Sequence, residues 1–117
     1  MKIIRKIIRA DGTETPLDRP VSIAEIEQLI GANMLDTVRL ADRQHVMLID
    51  DNGYETEAIE HPETEANAAY VELRPTRALK PVNVAATRLY HEVCVPGTTH
   101  QIVGDVVIVP DSDFGRN

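Results

Sequence analysis

The sequence predicts an α+β domain, a mixed or antiparallel sheet of four or five short strands with two helices packed on one face. Three observations lead there. Short runs rich in β-branched or alternating apolar residues recur along the chain, among them KIIRKIIR, VMLID and VVIV. Two stretches, Ser22–Gly31 and Asn83–Val93, instead carry apolar residues at helical spacing. The resulting order of strand, helix, three strands, flap, helix and strand lets both helical stripes bury against one sheet.

Taken in order, residues 2–9 have four Ile and are followed by Asp11-Gly12, which favours a strand. The interspersed Lys2, Arg5, Lys6 and Arg9 suit an edge position, where charge discourages sheet-to-sheet pairing. Asp11–Pro20, with Gly12, Pro16 and Pro20, reads as loop. Ser22 and Glu25 fit a capping box, Ile23, Ile26, Leu29 and Ile30 follow at helical spacing, and Gly31 stands where a left-handed cap is wanted.

Three strand candidates follow: Met34–Ala41, Val46–Asp50 and the more polar Tyr54–Ile59. Asn52-Gly53, a pair favoured where both turn residues need positive φ, joins the last two as an expected hairpin. Residues 61–81, broken by Pro62, Pro75 and Pro81, read as a long loop or flap with room for a short helix through Glu63–Ala69. In the last helix Val82, Ala85, Ala86, Leu89, Tyr90 and Val93 form one stripe, and Pro96-Gly97 ends it. Val106–Val109 is apolar at every position, the pattern of a central strand, and Asp111–Asn117 is a polar tail.

Composition bounds the function. A chain of 117 residues makes one domain, and with no Trp and one Phe its core must be aliphatic. A formal charge of −7 argues against holding a nucleic-acid backbone, which cationic side chains dominate. Acidic residues crowd the middle of the chain, including Glu55, Glu57 and Glu60, while the basic ones gather at the start. One cysteine makes no internal disulfide, and no pair of CxxC units offers a zinc site. The charged start lacks the continuous apolar core of a signal peptide, and no run has membrane-spanning length; the expectation is a reduced, soluble, cytoplasmic protein.

The best constellation for chemistry lies in the last third. Asn83, Thr87, His91 and Cys94 form a polar strip on the helix, followed at once by Gly97, Thr98, Thr99 and His100. If the chain folds back there, these groups converge. A Cys–His nucleophile would need a thiolate, which a helix C-terminus disfavours. His91, Cys94 and His100 would supply three metal ligands without a fourth. Gly97-Thr98-Thr99 could hold a phosphate through backbone donors and hydroxyls, although no nucleotide fingerprint is present. The structural alternative is that Cys94 is a small buried residue and the threonines shape a turn. Arg43 and His45 carry no motif, and Asp50 and Asp51 suit the flank of a turn.

NVAATRLYH, the Cys94–His100 turn and IVGDVVIVP together resemble a family of small phage- and plasmid-encoded proteins of unknown function. There an A-T-x-L-Y helix is followed by a loop and a closing I-x-G-D-V strand, with a hairpin like VMLIDDNGYE before them. The resemblance covers residues 34–109 loosely and 82–109 well, and the 61–81 insertion departs from it. It implies a compact α+β domain with an accessory role for a mobile element, and it transfers no catalytic residue and no cofactor.

The functional expectation is a non-enzymatic interaction module that meets a basic host protein through Glu55, Glu57 and Glu60, as an inhibitor would. The alternative is a binder or sponge for a nucleotide or other phosphate compound, using Thr87, His91, Cys94, Gly97, Thr98, Thr99 and His100. A Cys/His enzyme ranks third. Open edge strands in a small sheet make a homodimer plausible.

Overall fold

A strand apolar on both faces must be covered on both. The computed structural model, which describes residues 3–51, 56–75 and 80–114, shows how. In chain order its elements are β1 (Lys6–Ile8), β2 (Glu14–Pro16), α1 (Ile23–Ile30), β3 (Leu35–Arg39), β4 (His45–Asp50), β5 (Thr56–His61), β6 (Tyr70–Pro75), α2 (Val84–His91) and β7 (Val106–Pro110). A 3-10 turn over Asp111–Phe114 follows. Five strands form an antiparallel sheet in the order β2-β1-β7-β4-β3, while β5 and β6 pair only with each other among the described residues. The α+β class, the antiparallel sheet and the central place of Val106–Val109 agree with expectation.

The helices do not share a face. Side chains alternate along β7 and β4, so Val107, Val109, Val46 and Leu48 meet Ile26 and Ile30 of α1. Val106, Ile108 and Met47 point the other way and meet Ala86 of α2, with Ala85, Leu89 and Tyr90 around it. Ile7 and Ile8 of β1 split between the same two layers. A sheet apolar on both sides needs a helix on each, so the one-face arrangement is corrected to a three-layer one.

Four further expectations change for related reasons. β1 is not an edge strand: both Ile7 and Ile8 are 2 % exposed, and β2, cut from the expected loop, covers its outer side. Its charges are met locally, with Lys6 Nζ 2.8 Å from Glu14 and Arg5 forking the Asp113 carboxylate at 2.7 and 2.8 Å. The β4–β5 hairpin does not form, because β4 has β3 on one side and β7 on the other. The Asn52-Gly53 pair itself lies outside the described residues. The 61–81 flap contains β6 and no helix over residues 63–69; Thr64 and Asn67 close a turn between β5 and β6 through two mutual hydrogen bonds. The tail is held as far as Phe114, which packs on the α1 side of the core.

α1 begins and ends as its residues require. The Ser22 hydroxyl accepts from Glu25 N–H, the Glu25 carboxylate accepts from Ser22 N–H, and Gly31 takes φ 67°. Its last carbonyls are met from far along the chain: Lys80 Nζ donates to Ile30 O at 3.0 Å and Gly31 O at 2.8 Å. The same ammonium lies 2.6 Å from an Asp50 carboxylate whose side chain is 6 % exposed. Asp50 ends β4 and Lys80 precedes α2, so this ion pair ties together the two ends of the excursion that carries β5 and β6.

Candidate functional site

The chain does fold back after α2, and the polar strip is what holds it there. Asn83 N–H donates to Ile102 O at 2.8 Å. The Thr87 hydroxyl accepts from Ile102 N–H at 2.9 Å and donates to Ile102 O at 3.3 Å. His91 Nε2 lies 2.7 Å from His100 O, a pure acceptor, so that nitrogen carries the proton. Asn83 is fully buried; its amide nitrogen donates to Ile8 O and Gly104 O at 3.0 and 2.9 Å, and its oxygen caps α2 at Ala86 N–H. The strip therefore stitches residues 100–104 to α2 and to β1.

The turn is equally self-contained. Thr98 N–H and hydroxyl both donate to Val95 O, at 3.2 and 2.7 Å, across Pro96 and a Gly97 at φ 92°. That is the geometry of a type II turn, with proline leading and glycine in the left-handed position. Thr99 is exposed and Cys94 half-buried. Tyr90 holds its phenol above the usual range, chiefly through a hydrogen bond with Cys94, then through burial and the nearby Cys94 and Asp36 charges. The His100 ring stands edge-on to Tyr90 at 5.7 Å. Among the described residues no three His, Cys, Asp or Glu side chains gather as metal ligands.

A cavity of about 190 Å³ opens beside this strap, lined by Asp36, Asp50, Asp51, His100 and Gln101 over an apolar floor of Ile49, Ile102 and Val103. Asp36 and Asp51 repel an anion, and the Asp50 carboxylate is already matched by Lys80. The structure thus brings Thr87, His91, Cys94, Thr98 and His100 into one neighbourhood, but engages the bonding groups of Thr87, His91 and Thr98 with backbone and leaves an acidic hollow next to them.

The β5–β6 ribbon presents a different surface. Its register pairs Ala58 with Leu73 and Glu60 with Val71 on one face, and Ile59 with Glu72 and His61 with Tyr70 on the other. The second face is knit together: His61 stacks on Tyr70 at 4.4 Å and its Nε2 lies 2.9 Å from Glu72. The first face is bare, with Val71 59 % and Leu73 71 % exposed beside an exposed Glu60. Of the acidic residues expected to meet a partner, Glu60 is on this face, the side chain of Glu57 is outside the description, and Glu55 is outside the described residues.

The sheet's own edges are closed by comparison. β2 is three residues long and ends in Pro16. In β3, Leu40 N–H donates to His45 O, so Leu35, Thr37 and Arg39 turn their backbone outward; the Thr37 N–H is taken by Asp36 at 2.8 Å. The sequence signal for β6 was the alternation Tyr70-Val71-Glu72-Leu73, hidden between prolines. Nothing in spacing pointed to Lys80.

Compared with protein-family models, with curated proteins and with solved structures, the chain matches none. No helix among the described residues is long and apolar enough to cross a membrane.

Proposed function

We propose that this chain is a non-enzymatic interaction module whose β5–β6 ribbon captures a protein with a basic surface. The observation that carries this reading is the bare face of Ala58, Val71 and Leu73, set beside Glu60 on a ribbon whose edges are unpaired among the described residues. An isolated two-stranded ribbon is marginal in water, and an added strand or packing surface stabilises it. The chain's extents of 65 × 31 × 29 Å and radius of gyration of 17.6 Å, against about 13 Å for a compact chain of this length, fit a projecting arm. Its acidic residues favour a basic partner and speed encounter with it.

The phosphate-binder alternative has less support, since the strip's donors serve the fold and the adjoining hollow is acidic. The resemblance of residues 82–109 to phage- and plasmid-encoded proteins is the sole ground for reading the partner as a host protein and the site of action as the host cytoplasm.

A photo-crosslinker placed at Leu73 and a Glu55/Glu57/Glu60→Lys variant test the reading together. The expected result is one crosslinked basic protein, with capture lost in the charge-reversed variant. Equal capture by both proteins sinks the reading. A crosslink between two copies of the chain would assign the ribbon to a homodimer instead.

A further inference from the structure

Among the described residues that are buried as a whole, two are polar, Asn83 and His45. Asn83 is spent on joining elements. His45 can change charge, and its bonds depend on its not doing so. It opens β4 with a side chain 4 % exposed. Its Nδ1 lies 2.6 Å from Asp42 Oδ2, and its Nε2 lies 3.0 Å from the backbone N of Ile4, forty-one residues away.

A backbone N–H only donates, so Nε2 must be the bare, accepting nitrogen and Nδ1 must carry the proton toward Asp42. This is the neutral ring in one defined tautomer. Adding a proton sets N–H against N–H at Ile4 and removes the only acceptor the ring offers there. The Asp42 bond, by contrast, becomes an ion pair and gains strength. The carboxylate is itself fixed, accepting from Gln44 N–H and His45 N–H at 2.8 and 2.9 Å. The charged ring stays, and the strand start must leave.

We propose that His45 is a proton-operated latch: neutral, it holds the chain ahead of β1 against the body, and protonated, it lets that segment go. Of the other charged groups around the ring, Arg43 of the preceding turn is exposed to solvent, and two further arginines are paired. Arg5 forks Asp113, and Arg39 Nη2 lies 3.4 Å from Asp111, next to the Pro110 that pairs with His45. Aspartates titrate well below the imidazole range, and the bonds from Gln44 first, then from His45, hold Asp42 lower still.

Release stops at Arg5. Its carbonyl accepts from Leu17 N–H at 2.8 Å and its guanidinium is clamped to Asp113, so β1 and β2 stay paired. What comes free is Ile4, half-buried while latched, beside an Ile3 already 55 % exposed. Acid thus uncovers a short apolar segment at one corner of the sheet and leaves the core in place.

The test follows the full chain by nitrogen-15 NMR from about pH 8 to about pH 5. The expected result is one midpoint for protonation of the His45 ring and for a roughly tenfold fall in protection of the Ile4 amide, with Ile7 and Ile8 unchanged. His45→Gln offers Ile4 an acceptor and Asp42 a donor without a titrating proton, so Ile4 should stay protected throughout. A ring that titrates while Ile4 protection holds overturns the latch. So does a ring that stays neutral until the chain unfolds, or loss of protection that persists in His45→Gln. The two midpoints in the wild-type chain decide the matter even where that variant folds poorly.

Discussion

Replacing Asn83 tests whether one buried amide joins α2, β1 and the bend at Gly104. The side chain is 0 % exposed and makes three bonds: its nitrogen to Ile8 O and Gly104 O, its oxygen to Ala86 N–H. Asn83→Ala removes a helix cap worth about 1 kcal/mol. It also strands two buried carbonyls, each at a cost of about 1–3 kcal/mol. The expected loss is about 3–7 kcal/mol, a large share of the roughly 5–15 kcal/mol that holds a domain folded. At this chain length each kcal/mol lowers the melting midpoint by about 4 °C.

Asn83→Asp is the sharper probe because it is nearly isosteric and keeps the capping oxygen. It places a carboxylate oxygen where the amide nitrogen stood, 2.9 and 3.0 Å from two carbonyl oxygens. The folded state then prefers the protonated acid, so its folded pKa lies above the unfolded value of about 3.9. A folded state that binds the extra proton loses stability as pH rises between those two values. The variant should therefore be more damaged at about pH 7 than at about pH 4, and at neutral pH at least as damaged as Asn83→Ala. Urea unfolding of the three proteins at both pH values measures this. An Asn83→Asp chain within about 1 kcal/mol of wild type at neutral pH would refute the account, as would a deficit without pH dependence.

Two further outcomes are expected. Gly104→Ala should destabilise by about 1–3 kcal/mol, because Gly104 sits at φ 76° and a Cβ there would meet Lys80 Cδ at 2.7 Å. Lys80→Ala, which takes the ammonium from Asp50 and from the end of α1, should cost about 2–4 kcal/mol, with denaturant unfolding as the readout for both. The Asp42 carboxyl is held below its usual value, first by Gln44 N–H, so its contribution is present above the unfolded pKa and lost as pH falls through the folded one. The stability gap between wild type and Asp42→Asn should accordingly be full at neutral pH and shrink below about pH 4.

The candidate surfaces were unevenly legible for the same reason that the strands were. The α2 strip follows from i, i+4 spacing, so Thr87, His91 and Cys94 could be placed side by side before any fold was known. Whether their polar atoms faced solvent or the returning chain depended on residues 95–104 lying against them, which spacing along a helix does not report. The ribbon shows the opposite case. Glu57 and Glu60 stood out by charge, but Val71 and Leu73 became an exposed face only once β6 paired with β5.

Although α2 stops at His91, short of Pro96-Gly97, local information alone determined α1 with its caps, the existence of α2, the central character of Val106–Val109, the aliphatic core and the acid–base asymmetry. Each of these is written within a few consecutive residues, through capping bonds, side-chain alternation or formal charge. Tertiary structure alone decided that the helices take opposite faces and that β4 turns away from β5. It also brought Lys80 to Asp50, Asn83 to Ile8 and Ile4 to His45. Those outcomes hang on which distant groups arrive at the same place, and a contact spanning 30 or more residues leaves no local pattern to read.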